Sequence, residues 1–169
     1  MLRMVGTDRW SMMGVVVLFA LSLAACDEAS GGGWILSITG YADKAKFGFT
    51  VKCRDALQDG VPTAIAYAGQ IEWHDGPVRF HGDVEPMDFM VFEGSCRDLH
   101  ELSFGAVAFE GTYRPQPRGA RGRFSATVVD SGAPGSVFVG DAIVITLEGG
   151  RYAGYINGGS VEGGSIQIR

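Results

Sequence analysis

The chain has 169 residues, 46% of them hydrophobic and 20% charged, with a formal net charge of −5. That is enough apolar material for one packed domain. An acidic balance with scattered charges lacks the basic footprint that nucleic acid requires, so no nucleic-acid partner is expected.

Taken in chain order, Met1–Arg9 sets Arg3 and Arg9 against Asp8 and forms a weakly basic start. Met12–Ala25 is apolar apart from Gly14 and Ser22, which suits a signal-peptide core and is short for a membrane-spanning helix. Leu23-Ala24-Ala25-Cys26 closes the run. Small residues before a cysteine resemble the lipobox of bacterial lipoproteins. That resemblance implies transfer of a diacylglycerol to the Cys26 thiol and cleavage between Ala25 and Cys26. Residues 1–25 are thus expected as a removed signal-peptide helix, with palmitate-type acylation holding the remainder to a membrane of the bacterial cell envelope, on its extracytoplasmic (periplasmic) side. Asp27 resembles an inner-membrane retention residue of enterobacterial sorting. Residues 26–33 carry the lipidated cysteine and a polar, glycine-rich stretch, read as a flexible tether.

From Trp34 to Arg169 the pattern predicts strands nearly throughout. They fall at Trp34–Thr39, Lys46–Lys52, Ala64–Trp73, Val78–Val84, Met87–Glu93, Ser103–Tyr113, Gly122–Asp130, Ala142–Glu148, Arg151–Ile156 and Ser160–Ile168. Phe47, Phe49 and Val51 share one face of their strand, as do Ile166 and Ile168, which is the period-2 signature of a half-buried antiparallel sheet. Asp59-Gly60, Asp75-Gly76-Pro77, Ser131–Gly135, Gly149-Gly150 and Asn157-Gly158-Gly159 carry turn chemistry. Gly149-Gly150 and Asn157-Gly158 are expected as tight hairpins. Cys96–Leu102 is the best local helix, and it is short. The fold expected is all-β, a single antiparallel β-sandwich or flattened barrel over residues 34–169.

With Cys26 committed to lipid, Cys53 and Cys96 are expected to form one disulfide in an oxidising compartment. The chain-entropy model values closure of a loop of that length at about 4 kcal/mol. The alternative is a pair of buried thiols.

A second resemblance covers nearly all of the exported part. It is carried by Gly31-Gly32-Gly33-Trp34-Ile35, Lys44–Phe49, Pro62-Thr63, Ile71–Asp75 and Val78–Gly82. It continues through Asp130-Ser131-Gly132-Ala133-Pro134-Gly135, Gly140-Asp141 and the closing Gly158–Ile168. This order resembles the post-COAP type of secreted bacterial β-domain. The resemblance implies an extracytoplasmic all-β module and no catalytic residues. Arg169 stands where the pattern commonly has His, and the Cys53/Cys96 pair is not part of it.

Three groups offer chemistry. His74 and His81, with Asp75 and Asp83, could present two imidazoles and a carboxylate to a metal across the Gly76-Pro77 turn. Surface histidines are the plainer reading; His100 lies apart. Asp130 and Asp141 bracket a loop whose carboxylates and carbonyls suit calcium, against a plainer reading of an Asx-turn and a strand cap. Trp34, Trp73, Tyr41, Tyr67, Tyr113, Tyr152 and Tyr155 could stack on sugars or pack a core. Arg114, Arg118, Arg121 and Arg123 read as a solvated loop rather than an anion site. No nucleophile elbow, zincin or phosphate-loop motif occurs.

The expectation is therefore a lipid-anchored, non-catalytic binding or structural module, needing no cofactor beyond its covalent lipid. Its partners would be the membrane and an envelope protein or polysaccharide. The alternatives are a carbohydrate-active or metal-dependent hydrolase and a calcium-stabilised adhesion module.

Overall fold

The computed structural model describes residues 28–58, 61–85, 105–132 and 136–169, with the backbone alone for 54–58 and 61–67. The signal segment with Cys26, the Asp59-Gly60 turn, the Met87–Glu93 strand, the Cys96–Leu102 helix, Cys96 and His100 lie outside the described residues.

Eight strands follow one another: β1 (Glu28–Leu36), β2 (Lys44–Gln58), β3 (Val61–Asp75), β4 (Val78–Glu85), β5 (Ala106–Pro115), β6 (Gly122–Val129), β7 (Ala142–Glu148) and β8 (Ile156–Ile168). Each pairs antiparallel with its sequence neighbours, and β1 also pairs with β8. The sheet therefore closes on itself. Of the two forms expected, it is a barrel, in which every strand has a neighbour on each side.

Alternation decides what fills it. In β4, Val78, Phe80, Gly82 and Val84 face inward while the residues between them face out. The same pattern places Phe47, Phe49 and Val51 of β2, Ile71 and Trp73 of β3, and Phe124, Ala126 and Val128 of β6 in one core. An eight-stranded barrel has an interior that side chains can fill, and here they do. Gly82 is needed for that filling: a Cβ there would meet Ile71 Cγ2 and Phe124 Cε1 at 2.7 Å. The outer wall carries Lys46, Glu72, His81, Asp83, Arg114 and Arg123. Apolar inside and polar outside is the reverse of what a membrane-spanning barrel presents to lipid.

Ten aromatic rings run through this core in one continuous series, Tyr41–Tyr155–Trp73–Phe47–Phe49–Phe109–Phe124–Phe80–Tyr113–Tyr152, with centroids 5.3 to 6.4 Å apart. Offset and edge contacts of this kind each add about 0.5–1.5 kcal/mol beyond burial. Both ends of the series surface at the same end of the barrel.

Three expectations are corrected. Glu28–Gly33, read as a tether, opens β1. Glu28 exchanges both backbone hydrogen bonds with Arg169, and a Cβ on Gly31 would strike Phe49 and Ile166 at 2.8 and 2.9 Å. Gly31 is small to admit a core ring and Gly33 to admit the Gly163 backbone, not to be loose. Arg151–Ile156, read as a strand, is mainly turn; the β7–β8 connection runs through it, with Gly149 and Gly150 both at positive φ as expected of a turn. Asn157-Gly158-Gly159, read as a hairpin, lies inside β8 opposite Ile145, Val144 and Ile143.

The two ends of the barrel are distinct. At one, here the closing end, the N-terminus of β1, the C-terminus of β8 and the β6–β7 connection meet, and β2 and β3 extend as a two-stranded arm past Lys52 and Ala68. At the other lie the β1–β2, β3–β4 and β7–β8 connections.

Candidate functional site

Asp75 ends β3 with the inward parity of Ile71 and Trp73, so its carboxylate is buried inside the barrel mouth opposite the closing end. One of its oxygens, Oδ2, takes four donors. These are Ser37 Oγ at 3.0 Å, Thr39 Oγ1 at 2.7 Å, the Tyr155 hydroxyl at 2.8 Å and Asn157 Nδ2 at 2.9 Å. Its other oxygen, Oδ1, is buried without a hydrogen-bond partner among the described residues. The Tyr155 hydroxyl in turn accepts from Trp73 Nε1 at 2.8 Å, and Asn157 Oδ1 accepts from the Gly158 and Ile38 amides. This network clamps the β1–β2 loop and the start of β8 to the end of β3.

Burial, reinforced by the Asp75 charge, pushes the Tyr155 hydroxyl well above the ordinary tyrosine range. It stays protonated and donates; it is not a base. Gly76 makes the adjoining β3–β4 turn at φ 56°, with the Tyr41 carbonyl 2.6 Å from where a Cβ would sit. Only glycine meets both demands.

A cleft of about 220 Å³ opens above this network, lined by Tyr41, Val78, Arg151, Tyr152, Ala153, Gly154 and Tyr155. Tyr41 stacks on Tyr155 at 6.4 Å, and the Arg151 guanidinium lies 5.7 Å over the Tyr152 ring. The Tyr152 hydroxyl reaches the Pro77 and Gln116 carbonyls at 3.0 Å, and its amide donates to the Tyr113 hydroxyl at 2.9 Å. These bonds hold the ring in place, Arg151 Nη1 donates to the Pro117 and Arg118 carbonyls at 3.2 and 3.4 Å, and the exposed Tyr41 stands at the opening. Among the described residues the lining has aromatic faces and one cation, with no carboxylate, imidazole, hydroxymethyl or thiol group.

The structure separates the residues expected to bind metal. His74 faces outward and Asp75 inward, as successive strand residues must. His81 lies in the next row, where its two ring nitrogens meet Glu72 Oε1 at 2.6 Å and Asp83 Oδ1 at 3.2 Å, and Asp83 also holds Arg114. Among the described residues no three His, Cys, Asp or Glu side chains converge as metal ligands.

Asp130 and Asp141 do meet the same feature, the free edge of β8. That strand leaves β7 after Ser160, so the amides of Ile166 and Ile168 need other acceptors. Asp141 Oδ2 takes Ile166 at 2.8 Å and Asp130 Oδ2 takes Ile168 at 2.9 Å. Asp130 Oδ1 closes an Asx-turn on Gly132, and Asp141 Oδ1 takes both the amide and the hydroxyl of Ser131. All four carboxylate oxygens are engaged by the chain itself. Burial raises the Asp141 pKa, and the three hydrogen bonds outweigh it, so the carboxyl sits below its ordinary value.

Of the aromatic candidates, Trp73 and Tyr113 are wholly core, Tyr155 is buried beneath the cleft, and Tyr41 and Tyr152 line it. Trp34 lies on the outer wall under Lys44, whose Nζ is 3.6 Å from the ring centroid; the side chain of Tyr67 is outside the described residues. The sequence reading missed Ser37, Thr39 and Asn157. Asp75 was legible as inward from its parity with Ile71 and Trp73, but its place in a turn motif masked that.

No family model, curated protein or solved structure matches the chain.

Proposed function

We propose that the chain is a lipid-anchored protein of the bacterial cell envelope whose barrel binds a partner through the Tyr41–Arg151–Tyr152 cleft. The lipobox supports the anchor. The observation that carries the reading is polarity: β1 starts two residues after Cys26, and the cleft opens at the opposite end of the barrel. A lipid on Cys26 would turn the cleft away from the membrane, toward whatever occupies the envelope space. Two acyl chains make such an anchor durable where one would not.

A polysaccharide fits the lining best among the partners considered. Exposed aromatic faces stack on sugar rings, and Arg151 supplies donors to hydroxyl or acidic groups. The similarity to post-COAP modules agrees with a non-catalytic role, and its two most specific motifs, around Asp130 and Ile166–Ile168, are the ones that seal the barrel. A Cys53–Cys96 disulfide belongs to the same proposal. The calcium-stabilised alternative has less in its favour, since both aspartates are already satisfied by donors.

Two measurements test the reading. Metabolic labelling with a lipid analogue should mark the wild type and not Cys26→Ala; equal labelling of both would end the anchor reading. Co-sedimentation with envelope polysaccharide should weaken on Tyr41→Ala and Arg151→Ala. Retention by both variants at wild-type level would remove the cleft from the function.

A further inference from the structure

Among the described residues, the β6–β7 connection carries the most exposed apolar side chains of the closing end. Val137 is 76% exposed, Phe138 43% and Val139 100%, three successive residues that stand outside the core cluster of the described residues. Ser136, just before them, packs against Gly105, and Asp141, just after, is tied to Ile166 and Ser131. The tripeptide is thus held out from a fixed base. Its position is that of the β1 N-terminus, because Asp130 holds Ile168, Ile168 pairs with Ala29, and Glu28 pairs with Arg169.

Chain length then limits what can cover it. Glu28 is already in the sheet, so Cys26 lies two residues from the barrel, a span of at most about 7 Å. A lipid on Cys26 leaves no slack to lift this end off the bilayer. We infer that Val137–Phe138–Val139 is a second membrane contact, inserting its side chains among the acyl chains beside the Cys26 lipid. The inference rests on the lipid-anchor reading. Insertion of a short apolar loop next to a lipid would fix the tilt of the barrel and hold the cleft outward, where one lipidated point alone would let it swivel. Lys52 and Arg169 lie at the same rim and suit anionic headgroups, Lys52 also pairing with Glu28 at 3.1 Å. The β2–β3 arm leaves the barrel at this end too.

The test uses the full chain in bacterial membranes with a photoreactive residue at one site, Phe138→benzoylphenylalanine or Val139→benzoylphenylalanine. The control is Ile38→benzoylphenylalanine, which is 72% exposed at the opposite end. The expected result is phospholipid adducts at 138 and 139 and none at 38. Adducts to protein only, or no adducts, overturn the inference. Cys26 labelling in the same samples separates the two readings. Label without lipid adducts removes the loop contact and keeps the anchor, whereas adducts without label keep the contact and remove the anchor.

Discussion

Each end of the barrel is organised by aspartate, buried at Asp75 and Asp130 and half-buried at Asp141, and the two ends use it differently. At the closing end, Asp130 and Asp141 accept almost wholly from backbone amides, and every carboxylate oxygen has a donor. At the cleft end, Asp75 accepts only from side chains, all on one oxygen, with the other left without a partner among the described residues. Backbone donors are an obligation: β8 has parted from β7, and its amides need acceptors wherever the sheet stops. Side-chain donors are an arrangement that evolution could have replaced with apolar packing. A charge buried with half its acceptor capacity unused is costly to keep. The first end is a seal. The second is a scaffold that holds the Tyr41 loop and Tyr155 beneath a cleft.

The largest expected effect follows from that contrast. Asp75→Ala strands four donors in the barrel mouth and should cost roughly 3–5 kcal/mol, the range for breaking a buried polar network. Asp75→Asn keeps an acceptor without the charge and should recover part of the loss. Urea denaturation measures both. If Asp75→Ala costs no more than Asp130→Ala, the two ends are energetically alike and the contrast fails.

Asp130→Ala should come next, at about 1–3 kcal/mol, because it leaves the buried Ile168 amide and the Gly132 amide without their acceptor. The loss should be local to the closing strand. Hydrogen exchange at Ile168 and its β1 partner Ala29 should accelerate while β3 and β4 stay protected. Uniform acceleration over the whole barrel would mean that β8 is not sealed separately.

Most described strands were legible in the sequence because alternation is a local signal, Arg151–Ile156 being the exception. Val78–Val84 was read nearly to its observed bounds, and Asp75-Gly76-Pro77 makes the turn its composition announces. What failed was punctuation. Asn157-Gly158 has the composition of a hairpin, but its partner Asp75 is 82 positions away, and that contact draws it into a strand. Glu28–Gly33 has the composition of a linker, and the decision belongs to β8 and to the rings behind Gly31. Of the metal alternative, parity removes Asp75, which faces inward beside outward His74, while His74, His81 and Asp83 share the outer face without converging as ligands among the described residues. The cleft was half legible: Tyr41 and Tyr152 stood among the aromatic candidates, while the β7–β8 turn that brings Arg151 beside them was read as strand.

Acid offers a finer probe of the seal. Hydrogen bonds hold the Asp141 carboxyl below its unfolded value of about 3.9, so it binds its proton less readily when folded. Its contribution is therefore complete above that unfolded value and lost as pH falls through the lower folded one. The stability gap between wild type and Asp141→Asn should stay level from neutrality into mild acid, then close. A gap that widens in acid would reverse the sign and show that burial outweighs the hydrogen bonds.

The smallest effect belongs to the wall between the ends. His81 bridges Glu72 and Asp83, and Asp83 holds Arg114, all on the wetted outer face. This cluster makes three charged contacts, but water solvates every member, and exposed pairs of this kind contribute about 0–1 kcal/mol. His81→Ala should therefore shift the urea midpoint far less than Asp130→Ala, and the residual shift should shrink in high salt as screening takes over. A loss as large as that of Asp130→Ala would mean that contact number, rather than burial, sets the energetic rank of these carboxylates. The distinction between seal, scaffold and wall depends on burial being what counts.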